Sequence, residues 1–112
     1  MKYEAEDHPS VRVIHFEGDL GREDEAALKK LFVRLREGES NHVVFDLADV
    51  SFMDSTQLGT LVWGLKNLRE AGGDLRLCGL QGFVANLFEM TELDKAFRTY
   101  PDRRSAVDSF TG

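Results

Sequence analysis

The segment His42-Val43-Val44-Phe45-Asp46-Leu47 constrains the fold most. Val43, Val44 and Phe45 are consecutive rather than alternating, so a strand built from them needs cover on both faces. Helices stand on either side of it in sequence. From about Glu23 to Glu37, Ala27, Leu28, Leu31 and Leu35 fall at the spacing of one helical face. Glu23, Asp24 and Glu25 lead that segment and Lys29, Lys30, Arg34 and Arg36 trail it, which complements a helix dipole. Gly38 is a natural C-terminal stop. From about Ser55 to Ala71 a second stripe runs through Leu58, Leu61, Val62, Leu65 and Leu68, and Gly72-Gly73 closes it. Trp63, on the flank of this stripe, reads as a partly buried core residue.

The pattern repeats on both sides. Val11 to Phe16 is rich in β-branched residues and ends at the turn signal Glu17-Gly18-Asp19. Leu75 to Leu80 reads as another buried strand. Gly82 to Glu89 reads as a helix carrying Phe83, Val84, Leu87 and Phe88. A short strand covers Ala96 to Thr99, and Pro101-Asp102 opens a last helix with Ala106, Val107 and Phe110. The order β-α-β-α-β-α-β-α predicts an α/β fold with a mixed, mainly parallel sheet of four to five strands and about four helices. The Val11–Phe16 strand could alternatively pair antiparallel at an edge. At 112 residues the chain is expected to form one domain, 1–112, with residues 1–9 and 111–112 flexible.

Charge narrows the functional classes. The net charge is −6, and all of it lies in the first half: seven basic and thirteen acidic residues up to Asp54, then seven of each. An acidic chain lacks the dominant attraction to nucleic acid and to anionic membranes, and it suits a partner with a basic surface. The N-terminus MKYEAEDHPS has no apolar core and is not a signal peptide. The longest uncharged stretch near the middle, Ser55 to Leu65, is too short to span a bilayer. The single cysteine, Cys78, excludes an intrachain disulfide, and a cytoplasmic location is expected.

Enzyme signatures are missing. The chain has no phosphate-binding glycine loop, dinucleotide fingerprint or nucleophile elbow. His8, His15 and His42 are far apart in sequence, and none stands at metal-ligand spacing. His15 and His42 read as ordinary strand residues, and Cys78 as a small apolar filler. No catalytic role, metal or cofactor is expected.

The segment Val50-Ser51-Phe52-Met53-Asp54-Ser55-Thr56-Gln57-Leu58-Gly59 departs from this background. It joins the central strand to the second helix, and α/β sheets place function in loops past the carboxyl ends of parallel strands. Phe52 and Met53 are apolar where a polar connection is expected. They read either as partner contacts or as residues folded back on the core. Asp54 is placed to cap the helix, with Gln57 reaching back as in a capping box. Ser55 then occupies the first turn with its hydroxyl outward. Capping alone explains such residues as well as regulation does.

These residues carry a resemblance. Phe52-Met53-Asp54-Ser55-Thr56-Gln57-Leu58-Gly59 resembles the F-M-D-S-[ST]-G-L-G signature of STAS-domain anti-sigma factor antagonists, the anti-anti-sigma factors of bacterial switches. Val43-Val44-Phe45-Asp46-Leu47, Gly72-Gly73-Asp74-Leu75 and Leu87-Phe88-Glu89-Met90-Thr91 with Leu93 resemble the family's central strand, helix-to-strand turn and third helix. The likeness extends from Val11 to Phe110. It implies a transcription regulator that binds an anti-sigma factor with serine kinase activity and releases the sigma factor. It also implies that phosphorylation of Ser55 switches binding off and that a PP2C-like phosphatase reverses it. ATP and magnesium then belong to the kinase, not to this chain. The resemblance places partner contacts at Asp19, Gly21, Phe52, Met53, Asp54, Ser55, Thr56 and Gln57. Two positions depart from the family pattern. Gln57 stands where a glycine is usual, and Gly21 replaces an acidic residue implicated in partner binding, a role Asp19 or Glu23 could take. The alternative within the same fold is a non-switching scaffold subunit of a larger complex, stressosome-like or lipid-transport-like.

Overall fold

The computed structural model describes residues 1–38 and 40–111, so Glu39 and Gly112, with the flexibility expected at position 112, lie outside the described residues. Five strands form one sheet in the order β1-β2-β3-β4-β5: β1 Lys2–His8, β2 Val11–Glu17, β3 His42–Asp49, β4 Asp74–Cys78 and β5 Arg98–Tyr100. β2 to β5 are parallel to their neighbours, and β1 pairs antiparallel with β2. The helices are α1 Glu25–Glu37, α2 Ser55–Glu70, α3 Gly82–Met90 and α4 Arg103–Asp108, and one short 3-10 turn, Arg22–Asp24, leads into α1. This is the mixed, mainly parallel α/β architecture read from the sequence.

Alternation along each strand divides the core into two layers. Ile14, Phe16, Val43, Phe45, Leu47, Leu75 and Leu77 face α1, α2 and α3, packing with Leu28, Phe32, Leu61, Leu68 and Phe88. Val11, Val13, Val44 and Cys78 face the other way and meet Ala106 of α4. β3 is therefore covered on both sides, as its unbroken apolar run requires. Burial and the neighbouring Asp46 push the Cys78 thiol up to about 12, so it stays protonated and serves as packing volume.

Three details differ from the sequence reading. β1 alternates only through Tyr3 and Ala5, a strand signal the sequence reading missed, and it pairs with β2 from Lys2–Glu17 to His8–Val11. Its exposed charges suit an edge strand, because they discourage pairing with another chain. The antiparallel edge thus belongs to β1, while Val11–Glu17 is interior. On α1 the buried stripe is Leu28, Leu31, Phe32 and Leu35, and Ala27 is exposed. The rotation lets Phe32 stack on Phe45, with centroids 5.3 Å apart. It works because Gly64 of α2 faces Phe32, where a Cβ would come within 2.3 Å of the ring. Among the described residues no helix is long and apolar enough to cross a membrane.

Candidate functional site

Three loops gather at the carboxyl ends of the parallel strands: 18–21 after β2, 50–54 after β3 and 79–81 after β4. The first two are joined by backbone hydrogen bonds. Leu20 N donates to Phe52 O at 3.0 Å, and Asp54 N donates to Leu20 O at 2.9 Å. Ser51 Oγ donates to Asp19 Oδ1 at 3.1 Å. The third loop is tied in by Gln81 Nε2, which donates to Ala48 O at 2.7 Å. These loops form one surface rather than three separate connections.

Asp54 caps α2 as expected. Its Oδ1 accepts from the Thr56 amide and from Thr56 Oγ1, both at 2.9 Å. Those bonds hold its carboxyl below the ordinary carboxylate value. Ser55 follows in the first turn of α2 and is exposed.

Gln57 does not close a capping box. Its side chain is wholly buried, and Nε2 donates to Gly21 O at 2.5 Å. The cap position is already satisfied by the opposite loop, because Asp54 N donates to Leu20 O. Among the described residues Oε1 of Gln57 has no hydrogen-bond partner. The extra bulk relative to glycine therefore points inward and leaves Ser55 unobstructed.

The two apolar loop residues part company. Met53 is 1% exposed and bridges to Leu20, so its side chain is folded back on the core. Phe52 is 42% exposed and stacks on Phe83 of α3, with centroids 5.1 Å apart. Phe83, 49% exposed, was read from the sequence only as part of the α3 stripe. The sequence did carry the signal. Val84 and Phe88 share a buried face, and Phe83, one residue before Val84, must point roughly 100° away from it.

Asp19 is exposed beside Ser51, Gly21 is half-buried, and Thr56 is held by Asp54. A Cβ on Gly21 would come within 2.6 Å of both carboxylate oxygens of Glu23. The Glu23 carboxylate thus occupies the space that a side chain at position 21 would enter. His42, the first residue of β3, lies at the end of the strand opposite these loops. His15 is set between Asp46 and Asp49, at 3.1 and 2.9 Å, and His42 stacks on Phe110. Among the described residues no group of three or more His, Cys, Asp or Glu is placed to hold a metal ion.

The family profile described as STAS domain matches residues 2–106. The chain belongs to the STAS domain family. This STAS domain is 30% identical over 93 residues to an anti-sigma-B factor antagonist of Staphylococcus epidermidis, covering 83% of this chain and 86% of that one. It is 24% identical over 108 residues to an anti-sigma F factor antagonist of Paenibacillus polymyxa, covering 96% and 92%. The fold matches that of the anti-sigma factor antagonist SpoIIAA in its unphosphorylated form, with a TM-score of 0.84, 19% identity and coverage of 99% and 97%. It also matches SpoIIAA, the Bacillus cell fate determinant, in its phosphorylated form, with a TM-score of 0.75, 17% identity and coverage of 97% and 99%.

Proposed function

We propose that this STAS domain is an anti-sigma factor antagonist that works in the cytoplasm as a binding module and not as an enzyme. It binds an anti-sigma factor with serine kinase activity through the surface around Ser55 and frees the sigma factor. Phosphorylation of Ser55 ends that binding, and a PP2C-like phosphatase restores it. The observation that carries this reading is the exposed Ser55 on the first turn of α2, directly after a capping aspartate and beside the exposed Phe52–Phe83 pair.

The physics of that position supports a switch. A phosphate adds about −1.5 to −2 charge at pH 7. At the N-terminus of a sixteen-residue helix the dipole favours an anion, so the fold tolerates it. A partner that closes over Phe52 and Ser55 must instead bury the new charge unpaired. A loss of about 3–5 kcal/mol, the scale of a broken buried ion pair, corresponds to roughly two to three decades in affinity. The relatives named as anti-sigma factor antagonists cover most of the chain, which favours this partner class over the scaffold alternative. The inward path of Gln57 removes one of the two sequence departures that favoured a scaffold.

Intact mass after incubation with the candidate kinase and ATP tests the switch. One phosphate on the wild type and none on Ser55→Ala supports it, whereas an unmodified wild type supports the scaffold reading. Ser55→Asp is expected to keep the circular dichroism spectrum and to weaken calorimetric binding to the anti-sigma factor. An unchanged affinity would refute the electrostatic mechanism.

A further inference from the structure

A second surface lies along the seam between α1 and α2, away from the Phe52–Phe83 pair. Its centre is Trp63, 38% exposed, whose ring meets Phe32 edge-on with centroids 6.2 Å apart. Val33 of α1, 46% exposed, lies on the same groove. The open groove spans ≈ 510 Å³ between Trp63, Val33 and the side chains of Lys29, Lys30 and Arg34. A second hollow of ≈ 240 Å³ continues past Trp63 to Arg36 and Asn67. Toward the other end, a hollow of ≈ 280 Å³ runs from Trp63 to Thr56 and Gly59. Gly59 presents no side chain, and the space above it is open. The result is an open, shallow trough along two helices, apolar at Val33 and Trp63 and more polar toward Thr56 and Gly59.

Around Val33 and Trp63 its rim is positive on a chain whose net charge is −6, whereas Glu37 and Glu25 stand at the two flanking hollows. Lys29 pairs with Glu25 at 3.4 Å and lies 5.9 Å from the Trp63 centroid, and Arg36 pairs with Glu70 at 3.4 Å. Among the described residues Lys30 and Arg34 make no ion pair. Two uncompensated cations therefore stand beside an exposed tryptophan and valine. An apolar floor with a cationic rim suits an amphipathic segment that brings a large apolar side chain together with carboxylates.

We propose that the α1–α2 seam centred on Trp63 docks an acidic amphipathic helical segment of a partner protein. A flat anionic membrane fits less well, because the apolar residues line a trough and the whole chain is acidic. A second copy of this chain fits less well through its acidic edge strand β1, which is extended rather than helical. There Glu6 and Asp7 are already paired with Arg103 and Arg12, at 2.6 and 2.8 Å.

Trp63 is the only tryptophan, so its emission reports occupancy of the groove directly. The probe is a synthetic amphipathic peptide with leucine at helical spacing and glutamate elsewhere. A matched peptide with glutamine in place of glutamate is the control. The glutamate peptide is expected to shift Trp63 emission saturably, with affinity that falls as salt is raised. The double variant Lys30→Glu/Arg34→Glu, both on exposed positions, is expected to bind about tenfold or more weakly with an unchanged circular dichroism spectrum. Phosphatidylglycerol vesicles and the protein alone at rising concentration complete the comparison. Equal response to both peptides, or no response to either, would overturn the proposal. So would an emission shift confined to the vesicles or to self-titration. Ser55→Ala removes the phosphate acceptor without adding charge beside the groove, so unchanged peptide binding by that variant separates this result from the switch at Ser55.

Discussion

The side-chain amide of Gln57 and the carbonyl of Gly21 meet at 2.5 Å across the two loops that frame Ser55. One residue of α2 thereby fixes the turn before α1. Only a donor can make this contact, and it does so from a fully buried position. Gln57→Glu replaces the donor with a carboxylate that cannot donate when ionised and is poorly solvated there. We expect a loss of about 2–4 kcal/mol in urea unfolding at pH 7. Gln57→Met removes the hydrogen bond but also the unpartnered Oε1, so its cost is expected within about 1.5 kcal/mol. Wild-type stability in Gln57→Glu would show that the amide bond is not what holds the loops.

Met53 and Phe52 are adjacent and both apolar, yet one is sealed and the other open. Truncation should separate them. Met53→Ala empties core volume among Leu20 and its neighbours and should cost about 2–5 kcal/mol. Phe52→Ala loses only a surface stack and should cost about 1 kcal/mol or less. Partner binding should respond in the opposite order, with Phe52→Ala weakening it at unchanged stability. Chemical unfolding and calorimetric titration on the same samples read both quantities.

Local signals made most of the fold legible. The unbroken run Val43-Val44-Phe45 announced a strand covered on both faces, and the stripe from Leu58 to Leu68 marked α2 almost to the residue. Asp54 was recognisable as a cap because capping depends on residues two or three apart. What stayed hidden depends on distant partners. β1 pairs along the edge that β2 offers, and its own sequence alternates only weakly, through Tyr3 and Ala5. Gln57 sits three residues after the cap, the spacing of a capping box, but its real partner is thirty-six residues away at Gly21. The opposite fates of Phe52 and Met53 follow from the Leu20–Met53 bridge, again a contact between remote segments.

Acid should unfold the protein through a defined set of carboxyls. Burial raises the Asp46 carboxyl, but the Ala48 amide at 3.1 Å, Arg103 at 2.8 Å and His15 at 3.1 Å outweigh burial, and the net direction is down. Asp54 and Asp102 are also lowered, by the amides of Thr56 and Ser105. A lowered folded value means that the unfolded chain takes up protons first as pH falls. The stabilisation is therefore complete above the unfolded value of about 3.9 and is lost as pH drops through the folded values. Unfolding free energy from these groups should be flat from pH 7 to about 5 and fall below about 4. Asp46→Asn should lower stability at pH 7 by about 1–3 kcal/mol and flatten the acid limb. Urea melts across that range would expose an unchanged slope in the variant, which would exclude Asp46 from the acid response.

Glu23 is expected to supply the acidic group that position 21 lacks. Its carboxylate fills the space in front of Gly21, where a Cβ would lie 2.6 Å from either oxygen. The Gly21 backbone, at φ −100° and ψ 176°, is extended and open to any residue. Position 21 thus accepts a side chain once the Glu23 carboxylate is gone. Glu23→Ala should leave stability unchanged, because the residue is exposed, and weaken binding of the anti-sigma factor about tenfold. Adding Gly21→Asp to that variant should return the affinity to within about threefold of wild type. Both variants keep Asp19, so a loss with Asp19→Ala that neither of them shows would move the acidic contact to the Ser51 side of the loop pair.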